Sequence, residues 1–340
     1  MVHKIRRSLI ASVAAAALLL SACSNSEGEG TSSSASSAAA GDSTATAAAG
    51  ELKIEDNFGE KTVNLPVERA AVTDNRAFEI LSDWDVNIVA APKKIIPASL
   101  RDRYADVEVD LGNHREPDLE ALVAADPDLV WNGQRFEQHQ EDIEKLLDGV
   151  PVLDFEPRDD KDFSSELKRH ATALGEVFEH EADAEALIAD FDAAVERAKK
   201  AYDPSKKVMA VNTSGGEIGY IAPGIGRTYG PLFDLIGMNP ALEVANSSDD
   251  HEGDDISVEA IAESNPDWIL VMDRDGAVAS EEDGYTPGGE LVKNNAALQN
   301  VTAVKEGQVY VAPADTYTNE SIITYTEILN AMADAFEAQN

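Results

Sequence analysis

Apolar residues along this chain fall into short runs separated by helical stretches. Over residues 54–66 they alternate with polar ones around an Asn- and Gly-containing turn, which predicts a β-hairpin. Residues 70–73, 86–91, 107–111 and 150–155 read as short strands, with a short helix over 78–84. Phe163, Leu167, Ala171, Leu174 and Phe178 then recur at helical spacing. Residues 182–202 lack Gly and Pro and predict one helix of about 30 Å. Asp203-Pro204 stops it, and residues 207–212 begin a second group of strands.

One pattern occurs twice. Asp118-Leu119-Glu120-Ala121-Leu122 and Asp126-Pro127-Asp128-Leu129-Val130 recur as Ser257-Val258-Glu259-Ala260-Ile261 and Asn265-Pro266-Asp267-Trp268-Ile269. Each copy reads as a short helix, a Pro-Asp turn, a wholly apolar strand and an arginine just past it, Arg135 or Arg274. Strands that are apolar throughout belong in parallel sheets covered on both faces. Ligands of such sheets bind outside the carboxyl ends of the strands. The fold class expected is therefore α/β, with two Rossmann-like lobes joined by one long α-helix. Its boundaries are an N-terminal lobe over 51–181, a connecting helix over 182–203 and a C-terminal lobe over 204–340. Each lobe would aim one arginine at a shared cleft.

The N-terminus changes the picture. Lys4-Ile5-Arg6-Arg7 precedes an apolar run over 9–20, too short for a stable membrane span, and the run ends at Leu20-Ser21-Ala22-Cys23. Residues 1–22 look like a bacterial lipoprotein signal, with Cys23, the sole cysteine, as the lipidated mature N-terminus. Residues 23–50 are expected to be a lipidated, flexible linker, since they are Ser/Ala/Gly/Thr-rich. The expected location is the outer face of the cytoplasmic membrane, anchored at Cys23. A net charge of −37 argues against nucleic acid as a partner and against electrostatic adhesion to anionic lipid. Any anionic ligand must be held by local cations, since screening acts over about 8 Å at physiological salt.

A third arginine stands in Gly224-Ile225-Gly226-Arg227-Thr228-Tyr229-Gly230, a turn that leads into a proline-entered helix over 231–236. Three guanidinium groups on loops of one cleft point to an oxygen-rich anion, because each is a fixed charge with forked donors. The Gly-rich stretch over 213–220 lacks both phosphate-loop and dinucleotide spacings and reads as a β-turn. No Gly-x-Ser-x-Gly or His-Glu-x-x-His motif supports a surface hydrolase, and the six histidines show no clustered metal-ligand spacing. The chain is expected not to be an enzyme and to have no intrinsic cofactor. A structural surface protein with a vestigial cleft is the remaining alternative from another class.

From about Leu52 onward the chain resembles the bacterial ABC-importer substrate-binding proteins for iron–siderophores, and most closely the ferric catecholate branch of petrobactin and enterobactin type. The segments that carry this are Asp56-Asn57-Phe58-Gly59 with Leu65-Pro66, Pro127-Asp128-Leu129-Val130 with Gly133-Gln134-Arg135, Gly226–Gly230, and Asn265-Pro266-Asp267 with Val271-Met272-Asp273-Arg274. The resemblance implies the helical-backbone periplasmic-binding-protein fold, a ferric siderophore as ligand and an ABC transporter permease as partner, with the receptor a monomer. It implies that Arg135, Arg227 and Arg274 line the pocket. It further implies that His251 and Tyr317 contact the ligand and can complete iron coordination when the siderophore offers only two catecholates, and that Glu120 and Glu259 dock onto the permease. Helix-dipole stabilisation alone also accounts for the two glutamates. Arg76, His114 and Arg115 fall on loops that could reach the cleft. Haem, vitamin B12 and other iron chelates are the alternative ligands within the family. The acidic loop over 249–255 and the Gly-Gln-Arg order at 133–135 depart from the family pattern.

Overall fold

The computed structural model describes residues 50–339. Cys23, the leader before it and the linker up to residue 49 lie outside the described residues. Among those described, no helix is long and apolar enough to cross a membrane. The expected hairpin forms from β1 (Gly50–Asp56) and β2 (Gly59–Leu65), paired antiparallel.

The first lobe is a parallel sheet of β3 (Ala70–Val72), β4 (Ile88–Ala91), β5 (Val109–Asp110), β6 (Leu129–Asn132) and β7 (Val152–Asp154), in the order β5-β4-β3-β6-β7. Its crossovers carry α1 (Phe78–Asp83), α2 (Leu119–Ala124) and α3 (Gln140–Leu146). Both faces are covered. In β6, Leu129 and Trp131 enter the main core, while Val130 joins Leu122 and Ile143 in a cluster on the other face.

Two helices follow, α4 (Phe163–Phe178) and α5 (Glu181–Ala201), with a corner at Glu179, whose φ is 58°. The second lobe holds β8 (Lys207–Ser214), β9 (Glu217–Ile221), β10 (Asn239–Pro240), β11 (Trp268–Asp273) and β12 (Val309–Val311). The order is β10-β8-β11-β12, with β9 antiparallel on β8. The Gly-rich stretch is the turn of that β8–β9 hairpin. Around this sheet lie α6 (Gly230–Ile236), α7 (Val258–Ser264) and α8 (Arg274–Val278).

The repeated sequence is a repeated structure. Asp118 caps α2 by accepting from Ala121 N at 2.8 Å, and Ser257 caps α7 by accepting from Ala260 N at 3.2 Å. The residue before each proline is left-handed, Asp126 at φ 49° and Asn265 at φ 45°. Each Pro-Asp carboxylate then receives backbone N–H groups where the neighbouring strand begins. Asp128 accepts from Glu68 N and Arg69 N at 2.8 and 3.0 Å, and Asp267 from Lys207 N at 2.8 Å. The dipeptide thus ties β6 to β3 and β11 to β8 at their entry ends.

The long helix α5 does not stand alone between the sheets. It packs against α4 and against a C-terminal helix, Ile322–Glu337, to which Arg197 is bonded through Asp334 and Glu337. Phe163 packs edge-on to Tyr325 at 4.9 Å, Tyr202 packs on Phe336 at 5.4 Å, and Trp268 on Phe336 at 4.9 Å. One hydrophobic core therefore runs from the first sheet through this helical layer to the second. Exposing three such side chains would cost about 5 kcal/mol or more, which opposes wide separation of the lobes.

Candidate functional site

Four of the residues singled out in the sequence meet. Arg135 lies in the 3-10 turn Gln134–His139 after β6, and Arg274 opens α8 directly after β11. Arg227 lies in the loop between β9 and α6. Tyr317 is on a short helix, Thr316–Asn319, beyond β12. The guanidinium carbons of Arg135, Arg227 and Arg274 stand 5.4, 4.3 and 5.3 Å from the centre of the Tyr317 ring. All are within cation–π range of one aromatic face or edge.

The loops hold these side chains by close backbone packing. Gly133 has φ 150°, and a Cβ there would lie 3.2 Å from Asp74 Oδ2, so only glycine fits the approach to Arg135. Gln134 follows at φ 49°, its N–H donating to Glu156 Oε2 at 2.7 Å. Before Arg227, a Cβ on Gly226 would fall 2.5 Å from Ala222 N, which explains the glycine there. Asp273 fixes the start of α8 by accepting from Gly276 N at 2.8 Å, Tyr285 Oη at 2.7 Å and Gly288 N at 2.8 Å.

The three cations are compensated unequally. Arg227 is paired with Glu320, donating Nε at 3.1 Å and Nη2 at 2.6 Å to its two oxygens, and Nη2 also donates to Tyr317 O at 3.0 Å. Burial would raise the Glu320 carboxyl, but the charge and hydrogen bond of Arg227 hold it below the usual range. Arg274 donates Nη1 to Ser214 Oγ at 3.0 Å and has Asp275 at 3.7 Å. Arg135 donates to Gln134 Oε1 at 2.7 Å, and no carboxylate lies within salt-bridge distance of it among the described residues. Burial, and then the Arg227 charge, depress its pKa. Arg274 Nε and Gln134 Nε2 are buried donors without partners. Since buried donors are normally satisfied, these two are suited to an incoming acceptor.

A second charged group lies behind the first. Arg76 is bonded to Glu156 at 2.6 Å, and His170 Nε2 meets Asp74 Oδ2 at 2.8 Å. The Arg76 side chain is thus spent on Glu156. Burial and then the Arg135 charge lower the His114 pKa, whereas Arg115 is exposed.

The family model for periplasmic binding proteins matches residues 71–316. The chain belongs to this family. It is 26% identical over 287 residues to the petrobactin-binding protein YclQ of Bacillus subtilis, covering 83% of this chain and 86% of that one. It is 27% identical to the ferric-anguibactin-binding protein FatB of Vibrio anguillarum, covering 84% and 87%. The solved catecholate-siderophore binding protein VctP of Vibrio cholerae superposes with a TM-score of 0.72 at 24% identity, covering 83% of this chain and 99% of that one. That likeness shows the two-lobed fold.

Within this periplasmic binding protein the remaining sequence candidates are dispersed. His251 is exposed, with Asp250 and Glu252 oxygens at 3.8 and 3.9 Å from its ring nitrogens, and its carbonyl accepts from Asn212 Nδ2 at 2.9 Å. No hydrogen bond or ring contact joins it to Tyr317 among the described residues. Glu120 and Glu259 are exposed in the first turns of α2 and α7 and form no ion pair among the described residues. Ser214 has Arg274, not a histidine, as its partner. A separate hollow of about 490 Å³ beside the Arg135 turn is lined by Phe58, Gln138 and three acids, Glu137, Glu141 and Asp142. With no basic residue on its wall, it does not complement an anion.

Sequence reasoning missed the segment that carries Tyr317. Asn75 Nδ2 donates to Thr318 O at 2.8 Å, and Asn319 Nδ2 donates to Glu79 Oε2 at 2.7 Å. Ser99 is bonded to Asp315. The first lobe thus grips a strap of the second on which the ring sits. Glu320 was missed as well, for want of any motif around it, and Thr228, although inside the Gly226–Gly230 segment that carries the resemblance, was given no role.

Proposed function

We propose that this periplasmic binding protein captures a ferric siderophore, a catecholate by preference, and delivers it to an ABC importer for iron uptake. One observation carries the reading: three guanidinium groups from both lobes surround one tyrosine ring in a chain of net charge −37. A cluster of fixed cations in an acidic molecule selects an oxygen-rich anion at that place. The relatives named for petrobactin and ferric anguibactin agree with a ferric chelate as the ligand. Arg135, Arg227 and Arg274 surround the chelate, with Tyr317 as their common platform. His251 and Tyr317 are the candidates for direct iron contact. The protein performs no covalent chemistry in this scheme. It is anchored through Cys23 on the outer face of the cytoplasmic membrane, and Glu120 and Glu259 present it to the permease.

The test is native mass spectrometry with a panel of ferric chelates, including haem and ferric citrate. The wild-type protein is expected to retain a ferric catecholate. Replacing Arg135, Arg227 and Arg274 together by Ala should weaken that binding by about a hundredfold or more, since charge-assisted hydrogen bonds contribute about 1.5–3 kcal/mol each. Unchanged binding by a triple variant that still melts cooperatively would defeat the reading.

A further inference from the structure

Glu320 has no place in the scheme so far, yet it is the carboxylate most deeply committed to the arginine cluster. Only 3% of it is exposed, and its backbone adopts φ 42°, a conformation costly for a residue with a Cβ. Both oxygens are used. Oε1 accepts from Arg227 Nε at 3.1 Å and from Thr228 Oγ1 at 2.5 Å, while Oε2 accepts from Arg227 Nη2 at 2.6 Å. That fork occupies Nε and Nη2, the latter shared with Tyr317 O, so Nη1 carries the donors Arg227 has left for a ligand. The paired guanidinium lies closest of the three to the Tyr317 ring, at 4.3 Å. Arg135 and Arg274 are different. Neither has a carboxylate at hydrogen-bonding distance among the described residues, and Arg274 Nε is buried without a partner.

We infer that Glu320 is a charge-selecting residue. It converts Arg227 into a neutral, fixed pair that positions Tyr317. The ligand therefore meets less positive charge than three unpaired guanidinium groups would present. On the reading given under Proposed function, the site discriminates against a trianionic ferric chelate, relative to one of lower charge and the same donor type, more than it would without Glu320. In a water-poor cleft, that unit of charge is felt by the ligand with little screening, so removing it is expected to move the ratio of the two affinities by at least about tenfold.

The experiment compares two synthetic ferric complexes on the full-length protein in detergent. One is made with a hexadentate tris-catechol ligand and is trianionic. The other is made with a tetradentate bis-catechol ligand and is monoanionic. The ratio of the two affinities in wild type is the reference. Glu320→Gln keeps the side-chain shape, removes the charge and should shift that ratio by about tenfold towards the trianion. Thr228→Val leaves the carboxylate in place and should leave the ratio where it was. Should Glu320→Gln fail to fold, Arg227→Gln gives the opposite readout: with Glu320 uncompensated, the trianion is rejected further. A ratio unmoved by the charge change overturns the inference. Failure of wild type to bind either complex counts instead against the ferric-chelate reading on which the inference rests.

Discussion

Tyr317 shows how much a single ring can organise. Three cations share it, and each cation–π contact is worth about 0.5–2 kcal/mol depending on desolvation. Tyr317→Ala should therefore lower ferric-chelate affinity at least about tenfold, whereas Tyr317→Phe keeps the platform and should cost no more than about threefold. Titration of both variants checks this, and loss of a visible iron–phenolate band in the Phe variant would show that the hydroxyl ligates iron. A second residue makes a pH prediction. Burial pushes the Asp154 carboxyl up to about 7, against the hydrogen bond it receives from Glu156 N. The folded state then binds more protons than the unfolded between its ordinary 3.8 and about 7, so stability falls as pH rises through that window. Asp154→Asn removes this dependence. Its melting temperature should gain on wild type at pH about 8 relative to pH about 5, read by thermal melts at both. Neither residue announced its role equally. Tyr317 was reached through the resemblance, but nothing in the sequence sets Asp154 or Glu320 apart among 64 acidic residues.

At the level of elements, what could be read was what repeats or is periodic. The helix–turn–strand duplication was legible because capping, the left-handed residue and the Pro-Asp carboxylate each leave a residue type at a fixed place. Strands β10 and β12, of two and three residues, are too short for any periodicity to register. The C-terminal helix Ile322–Glu337 did leave a signal: Tyr325, Ile328, Leu329, Met332, Ala333 and Phe336 are buried at spacings of three and four. It went unread, and with it the helical layer that joins the lobes. The corner between α4 and α5 is the tightest joint of that layer. A Cβ on Gly175 would lie 2.7 Å from Ala184 Cβ and 3.1 Å from His180 O. Gly175→Val should therefore destabilise the protein by about 1–3 kcal/mol, measured by denaturant unfolding. An unchanged midpoint would mean that the helices can separate at their corner without loss.

For the whole molecule, the sequence showed two lobes and a cleft but not that they share one core and a strap. The strap depends on contacts between residues more than 200 positions apart, such as Asn75 with Thr318, and the core on distant pairs such as Phe163 with Tyr325. A receptor built this way is expected to offer its permease a nearly constant surface. Glu120→Ala combined with Glu259→Ala should leave chelate affinity intact and abolish uptake by cells, which separates docking from capture in one pair of assays. The same rigidity bears on the three tryptophans. Trp131 stacks on Phe155 at 5.2 Å near the exit of β6, four positions before Arg135. Trp84 stacks on His180 at 5.0 Å at the end of α1, and Trp268 stands at the entry of β11, with the strand's length of about 17 Å between it and Arg274. Each indole packs against its own aromatic neighbour, so none is expected to reorient when the cleft fills. The molecule carries a built-in optical ruler, in which the emission lost by each indole to a bound iron complex reports its separation from that complex and hence where the metal rests.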